Sequence, residues 1–161
     1  TVICNETSLH RASLSELEAA GYQGSVSVEK PLWQPQDEPF SAPGIRVGVA
    51  YVLRFHPVLM KLKSLISGRR AFSAEIRCAS YLPNWRPGTD YRQSESAKLA
   101  SGGGVLRDLS HELDYAAWLF GGFSRVAALG GRFSSLEIET DDSFAILAKI
   151  HHAAIDVRGG A

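Results

Sequence analysis

Gly102-Gly103-Gly104-Val105-Leu106-Arg107-Asp108-Leu109-Ser110-His111-Glu112-Leu113-Asp114-Tyr115-Ala116-Ala117-Trp118-Leu119-Phe120-Gly121-Gly122 reads as a helix bounded by glycines at both ends. At about 100° per residue, Leu106, Leu109, Leu113, Ala116, Ala117 and Phe120 share one face, and Asp108, His111, Asp114, Tyr115 and Trp118 the opposite one. The first face predicts core. The second lacks the Lys, Glu and Gln of an ordinary solvated face. A carboxylate, an imidazole, a second carboxylate and two aromatics suit the wall of a pocket. Asp108 and Asp114 each stand three residues from His111, within reach on a helix surface. Such neighbours hold a histidine's tautomer and raise its proton affinity. The same residues also fit a plain helix whose Asp108 favours the N-terminal dipole and whose His111 is half-buried with no chemical role. The helix by itself leaves both readings open.

Working outward toward the N-terminus, residues 1–4 read as the end of a buried parallel strand, and residues 5–8 as a polar turn. A helix to about Ala20 follows, with Leu9, Leu14, Leu17 and Ala20 on its apolar side, Thr7 or Ser8 as cap and Gly21 as stop. Residues 25–29 alternate as a second strand, which completes a βαβ unit with its ligand side at the carboxyl ends of the strands. Residues 32–44 carry three prolines and a glycine and read as a linker. Residues 45–55 fit a strand ending near Arg54. His56 and Pro57 open a helix with Leu59, Leu62, Leu65 and Ile66 on its buried stripe, stopped by Gly68. Residues 71–82 alternate as a strand again.

The loop over residues 83–92 offers Trp85 for stacking on a sugar and Arg86 and Arg92 for bidentate contacts, with Tyr91 beside them. Beyond Gly122, residues 125–133 and 143–155 read as strands separated by an acidic turn over 137–142. The predicted class is α/β plus α+β: a partial Rossmann-like βαβ unit followed by an open, mostly antiparallel sheet with helices on one face.

Seventeen Lys and Arg balance seventeen Asp and Glu, so nothing draws the chain to nucleic acid or an anionic membrane. No apolar run approaches the ~20 residues that span a bilayer, and no signal-peptide pattern opens the chain. A cytoplasmic protein is expected. Cys4 and Cys78 have no metal spacing and sit in apolar, strand-like segments, which predicts buried free thiols. Adjacent His151 and His152 point to opposite faces of a strand, so no metal site is expected there.

Three stretches carry a resemblance. The glycine triplet followed by Asp108, His111, Asp114 and Trp118-Leu119-Phe120-Gly121 resembles a signature in the second domain of the Gfo/Idh/MocA family of NAD(P)-dependent oxidoreductases. Ser27-Val28-Glu29-Lys30-Pro31-Leu32 is similar to that family's EKP motif, and Tyr51-Val52-Leu53-Arg54-Phe55-His56-Pro57 to its crossing strand and following helix. The resemblance implies hydride transfer between NAD or NADP and a sugar-like alcohol or carbonyl. It assigns Lys30 to the reacting oxygen, His111 to acid/base work and Asp108 to orienting or polarising the histidine. Glu29, Lys30 and Pro31 would meet the cofactor, and Arg54, Trp85, Arg86, Tyr91, Arg92 and Asp114 the substrate. It also implies a cis Lys30–Pro31 bond and sheet-to-sheet packing into a homo-oligomer through the strands after Gly122, with 126–129 and 145–150 as apolar segments.

Residues 1–43 would then be a remnant of the dinucleotide-binding domain with its linker, and 44–161 a substrate and oligomerisation domain incomplete at its C-terminus. Two departures stand out. Asp108 precedes His111 by three residues where the commonest family pattern has four, and no Gly-x-Gly-x-x-Gly turn is present. The chain alone is therefore expected to bind NAD(P) weakly or not at all. The competing reading is a shortened, non-catalytic binding or assembly module of the same fold.

Overall fold

Strand β2 (Gly24–Val28) lies at the centre of a three-stranded parallel sheet in the computed structural model, which describes residues 1–34 and 36–150. β1 (Val2–Ile3) and β3 (Ile45–Val49) flank it, with Val2 opposite Ser27 and Val47 opposite Val26. Helix α1 (Thr7–Ala19) makes the crossover from β1 to β2. Apolar side chains from both layers close one core: Ile3, Leu14, Val26 and Val28 are buried, with Leu17, Tyr22, Trp33 and Phe40 around them. Residues 32–44, read as a linker, pack on this core through Leu32, Trp33 and Phe40.

The stripe of α1 differs from the expected one. Leu9 is exposed and His10 is buried. Leu9 stands five residues before Leu14, about 140° off its direction, whereas His10 stands four before and falls on the stripe with Leu14 and Leu17. Neither Thr7 nor Ser8 caps the helix; Glu6 is the N-cap and makes no side-chain cap bond. Gly21 ends it in the left-handed region at φ 72°, and Tyr22 N–H returns to the Leu17 carbonyl at 2.9 Å.

β3 stops at Val49 instead of running to residue 55, and it belongs to the parallel sheet rather than to the antiparallel one. Its ladder partner ends first: Val49 is opposite Val28, the last residue of β2. The chain then tightens into a 3-10 turn over Val52–Phe55 before α2 (Pro57–Ile66). His56 caps α2, its Nδ1 accepting from Val58 N–H at 3.3 Å.

Residues 71–81 form no strand among the described residues. Alternation alone does not make a strand: residues 71–81 take up no ladder, and β4 (Phe123–Gly131) and β5 (Ser143–Ile150) pair antiparallel with each other only. Ala74, Ile76, Cys78, Ala79 and Ser80 of this stretch line a cavity of about 390 Å³. Cys4 and Cys78 are exposed free thiols, not buried ones. β1 is only two residues long, so Cys4 lies beyond its end, and Cys78 lies in the unpaired stretch. His151, His152 and the expected strand over 151–155 lie outside the described residues. No helix among the described residues is long and apolar enough to cross a membrane.

The decisive stretch is helical but broken. α3 (Val105–Asp108) and α4 (Ser110–Phe120) meet at Leu109, whose φ −99° and ψ 25° leave helical geometry. Its glycines are explained by close approach: a Cβ on Gly103 would strike the carbonyl oxygens of Glu95 and Ser96, and Gly104 has φ 117° beside the Asp141 carboxylate. The acidic turn before β5 caps α3. Asp141 accepts from Val105 N–H through its carbonyl at 3.0 Å and from Leu106 N–H through Oδ2 at 2.9 Å. The expected core face, Leu106, Leu109, Leu113, Ala116 and Phe120, fronts the 390 Å³ cavity across from Phe144, Ile146 and Ala148. Two strands offer too little sheet to fill that space. Leu119, assigned to neither face, is the fully buried residue of α4.

Candidate active site

Lys30 follows β2 at its carboxyl end, in the strand-end position where open α/β sheets place ligands. The Lys30–Pro31 peptide bond is cis. From there the side chain crosses to the second layer: Nζ donates to the carbonyl of Asp108 at 2.5 Å and of Arg107 at 3.3 Å, at the end of α3. The break at Leu109 takes the Asp108 carbonyl out of a continuous helix ladder, whereas the Arg107 carbonyl also accepts from Leu109 N–H. Residues 77 and 78 positions apart in the chain thus meet through one ammonium.

The electrostatics follow from enclosure. Burial lowers the proton affinity of Lys30, against the pull of Asp108, Glu112 and Glu29. Burial raises the Asp108 carboxyl above the usual carboxylate range, although a hydrogen bond with Ser96 and the nearby ammonium oppose the shift. His111 is lowered by burial first and by the Lys30 charge second, with Glu112, Asp114 and Glu29 acting the other way. Its Nδ1 is buried and has no hydrogen-bond partner, and its ring stands edge-on to Tyr51 with centroids 5.7 Å apart.

The expectation that two flanking carboxylates raise the proton affinity of His111 is therefore overturned. Asp114 is taken up by Arg54, whose Nε and Nη2 donate to its two oxygens at 2.8 and 2.5 Å. Asp108, on the far side of the helix break, turns to Ser96 and Lys30. The polar face of α4 instead packs on the segment after β3: Tyr51 meets His111, Arg54 meets Asp114, and Lys63 lies 3.8 Å over the Trp118 ring while donating to the Trp118 carbonyl.

Lys30, Asp108 and His111 are thus brought together, with Glu29 within electrostatic reach and Pro31 adjoining. None of the contacts described for the loop over 83–92 reaches them. Trp85 Nε1 donates to Ser80 Oγ at 2.6 Å, Arg92 pairs with Asp90 and Glu137, and Tyr91 Oη accepts from Glu137 N–H. Arg86 is exposed. The sequence reading missed His10, Tyr51 and Ser96. Tyr51 lies in one of the quoted motifs, whereas a single histidine on a helix stripe and a serine in a polar loop gave no signal.

A parallel βαβ unit, an antiparallel strand pair and a strand-end lysine that reaches the junction of α3 and α4 define a mixed α/β protein. A model of the GFO/IDH/MocA C-terminal domain matches residues 71–157, more than half of the chain, and the chain belongs to this family. No curated protein matches it. Among solved structures it is similar to GenD2 from gentamicin A biosynthesis in complex with NAD, with a TM-score of 0.65 and 18% identity over 95% of this chain and 45% of that one. An oxidoreductase from Agrobacterium radiobacter in complex with NAD+, L-tartaric acid and magnesium gives 0.61 and 18%, over 93% and 44%. The WlbA dehydrogenase from Thermus thermophilus in complex with NAD and alpha-ketoglutarate gives 0.56 and 23%, over 87% and 47%. These likenesses establish the fold. The chain spans less than half the length of each of the three.

Proposed function

We propose that this chain carries the lysine and histidine of an NAD(P)-dependent oxidoreductase acting on a secondary alcohol or carbonyl of a sugar-like substrate. One observation bears most of the weight: the Lys30 ammonium and the orphaned Nδ1 of His111 belong to one electrostatic cluster, although they come from different layers. An imidazole nitrogen buried without a partner is costly unless a ligand completes it. A hydroxyl or carbonyl oxygen beside a nicotinamide fits that need.

Glu29, Lys30 and Pro31, at the carboxyl end of β2, would hold the nicotinamide end of NAD or NADP. When bound, the cofactor accepts or returns the hydride. Lys30 binds the reacting oxygen through an N–H and stabilises negative charge as the C–O bond changes order. His111, favoured neutral by its surroundings, takes the hydroxyl proton as the carbonyl forms and gives it back in the reverse direction. Asp108 supports Lys30 rather than His111, because its carboxyl is among the groups acting on the ammonium. The crystallised relatives with NAD support this cofactor class. The exposed free thiols fit a reducing, cytoplasmic setting, and the apolar strands after Gly122 fit a homo-oligomer.

The test is hydride transfer by the protein encoded in the complete reading frame. It should reduce NAD+ or NADP+ with a sugar-like secondary alcohol, read as absorbance of the reduced nicotinamide. Lys30→Met or His111→Phe should each lower kcat/KM by about 10²–10⁴-fold. Turnover unaffected by both substitutions, or no turnover with any alcohol of this class, sinks the assignment and favours the non-catalytic module.

A further inference from the structure

His10 is 1% exposed and takes no part in the contacts described above. Its Nδ1 lies 3.1 Å from the carbonyl oxygen of Pro31 and its Nε2 3.0 Å from that of Asn5. Asn5 follows β1 and Pro31 follows β2, so the ring spans the carboxyl ends of two neighbouring parallel strands. Both facing atoms accept and cannot donate, so each ring nitrogen bonds its oxygen only where it carries a hydrogen. An aliphatic side chain would fill this place on the α1 stripe next to Leu14; a sealed imidazole persists there only if it is bonded.

The Pro31 carbonyl belongs to the residue after Lys30, and Lys30 is the side chain that crosses to the second layer. We propose that His10 is a positioning residue for Lys30. Its Nδ1–H bond to the Pro31 carbonyl fixes the turn leaving β2 and so aims the ammonium at the junction of α3 and α4. The assignment rests on the reading of Lys30 as the group that meets the reacting oxygen, but it is tested without turnover.

An asparagine amide nitrogen takes the place of imidazole Nδ1, and a glutamine amide nitrogen that of Nε2. His10→Asn therefore keeps the donor to Pro31, and His10→Gln loses it. The readout is the acetylation rate of Lys30 by a dilute acetylating reagent, measured by peptide mass spectrometry against exposed Lys61 in the same sample. Losing one net hydrogen bond should raise the Lys30 rate about fivefold in His10→Gln, while His10→Asn stays within about twofold of the parent. Equal rates in the two variants, or no rise in His10→Gln, overturns the proposal. A second measurement needs no variant: histidine ¹⁵N resonances of the unsubstituted protein should show His10 protonated at Nδ1, and a proton confined to Nε2 overturns it equally. Neither result depends on hydride transfer, so failure here is distinguishable from failure of the proposed activity.

Discussion

His111 sits where burial and the Lys30 ammonium both disfavour its charged form, burial being the larger cause. A lowered affinity means the ring sheds its proton at a lower pH than an ordinary histidine, whose value is about 6.5. At pH 7 it is neutral and able to accept a proton. A proton NMR titration should accordingly place its midpoint below the ordinary value. Lys30→Met removes a positive neighbour, so the midpoint should rise part of the way back while burial still holds it down. A midpoint at or above the ordinary value in the parent, or a fall on Lys30→Met, contradicts this account. Lys30 and His111 were legible in the sequence because each lies in a short motif of defined chemistry. The relation of His111 to its neighbours was not. The spacing of Asp108 and Asp114 promised two flanking carboxylates only on an unbroken helix with no competing cation, and the structure has a break at Leu109 and an arginine at position 54.

The elements are joined at few points, and one of these joins can be tested. Arg54, in the turn after β3, makes a two-pronged bond to Asp114 on α4; the arginine side chain is 43% exposed and the carboxylate 8%. The exposures make the two ends unequal. Arg54→Ala strands a buried carboxylate, which should cost about 1–3 kcal/mol in urea unfolding. Asp114→Asn leaves the guanidinium able to turn to water, so it should cost less, and adding it to Arg54→Ala should recover part of the loss. Equal costs, or no recovery in the double variant, would show that the pair does not link these elements. Local signals located the helices and the βαβ unit, since periods of 3.6 and 2 are written in neighbouring residues. They misjudged β3 and the stretch over 71–81, because a strand exists only where a distant segment supplies a ladder. The capping of α3 by Asp141, from more than thirty residues away, is hidden for the same reason.

At the scale of the whole molecule, β4 and β5 present a face with apolar character. Directly opposed residues share a face, and the pairs Ala127 with Leu147 and Leu129 with Ala145 lie side by side on one of them. Leu129 and Leu147 on this face are 74% and 78% exposed, and apolar area left open to water favours association. Arg125 stands opposite Lys149 on the same face as the leucines, so that face carries two positive charges at one end. A symmetric pairing that buries the leucines with the same ends of the two sheets together brings like charges of two copies toward one another. Association should therefore strengthen as salt screens the repulsion. Sedimentation velocity at micromolar concentration should show a concentration-dependent dimer or larger species that grows between low and moderate salt. Leu129→Glu with Leu147→Glu, at exposed positions that leave the buried core untouched, should return it to monomer. A single monomeric species at every concentration and salt removes the proposed oligomer, and an oligomer that survives both substitutions moves the interface off this sheet.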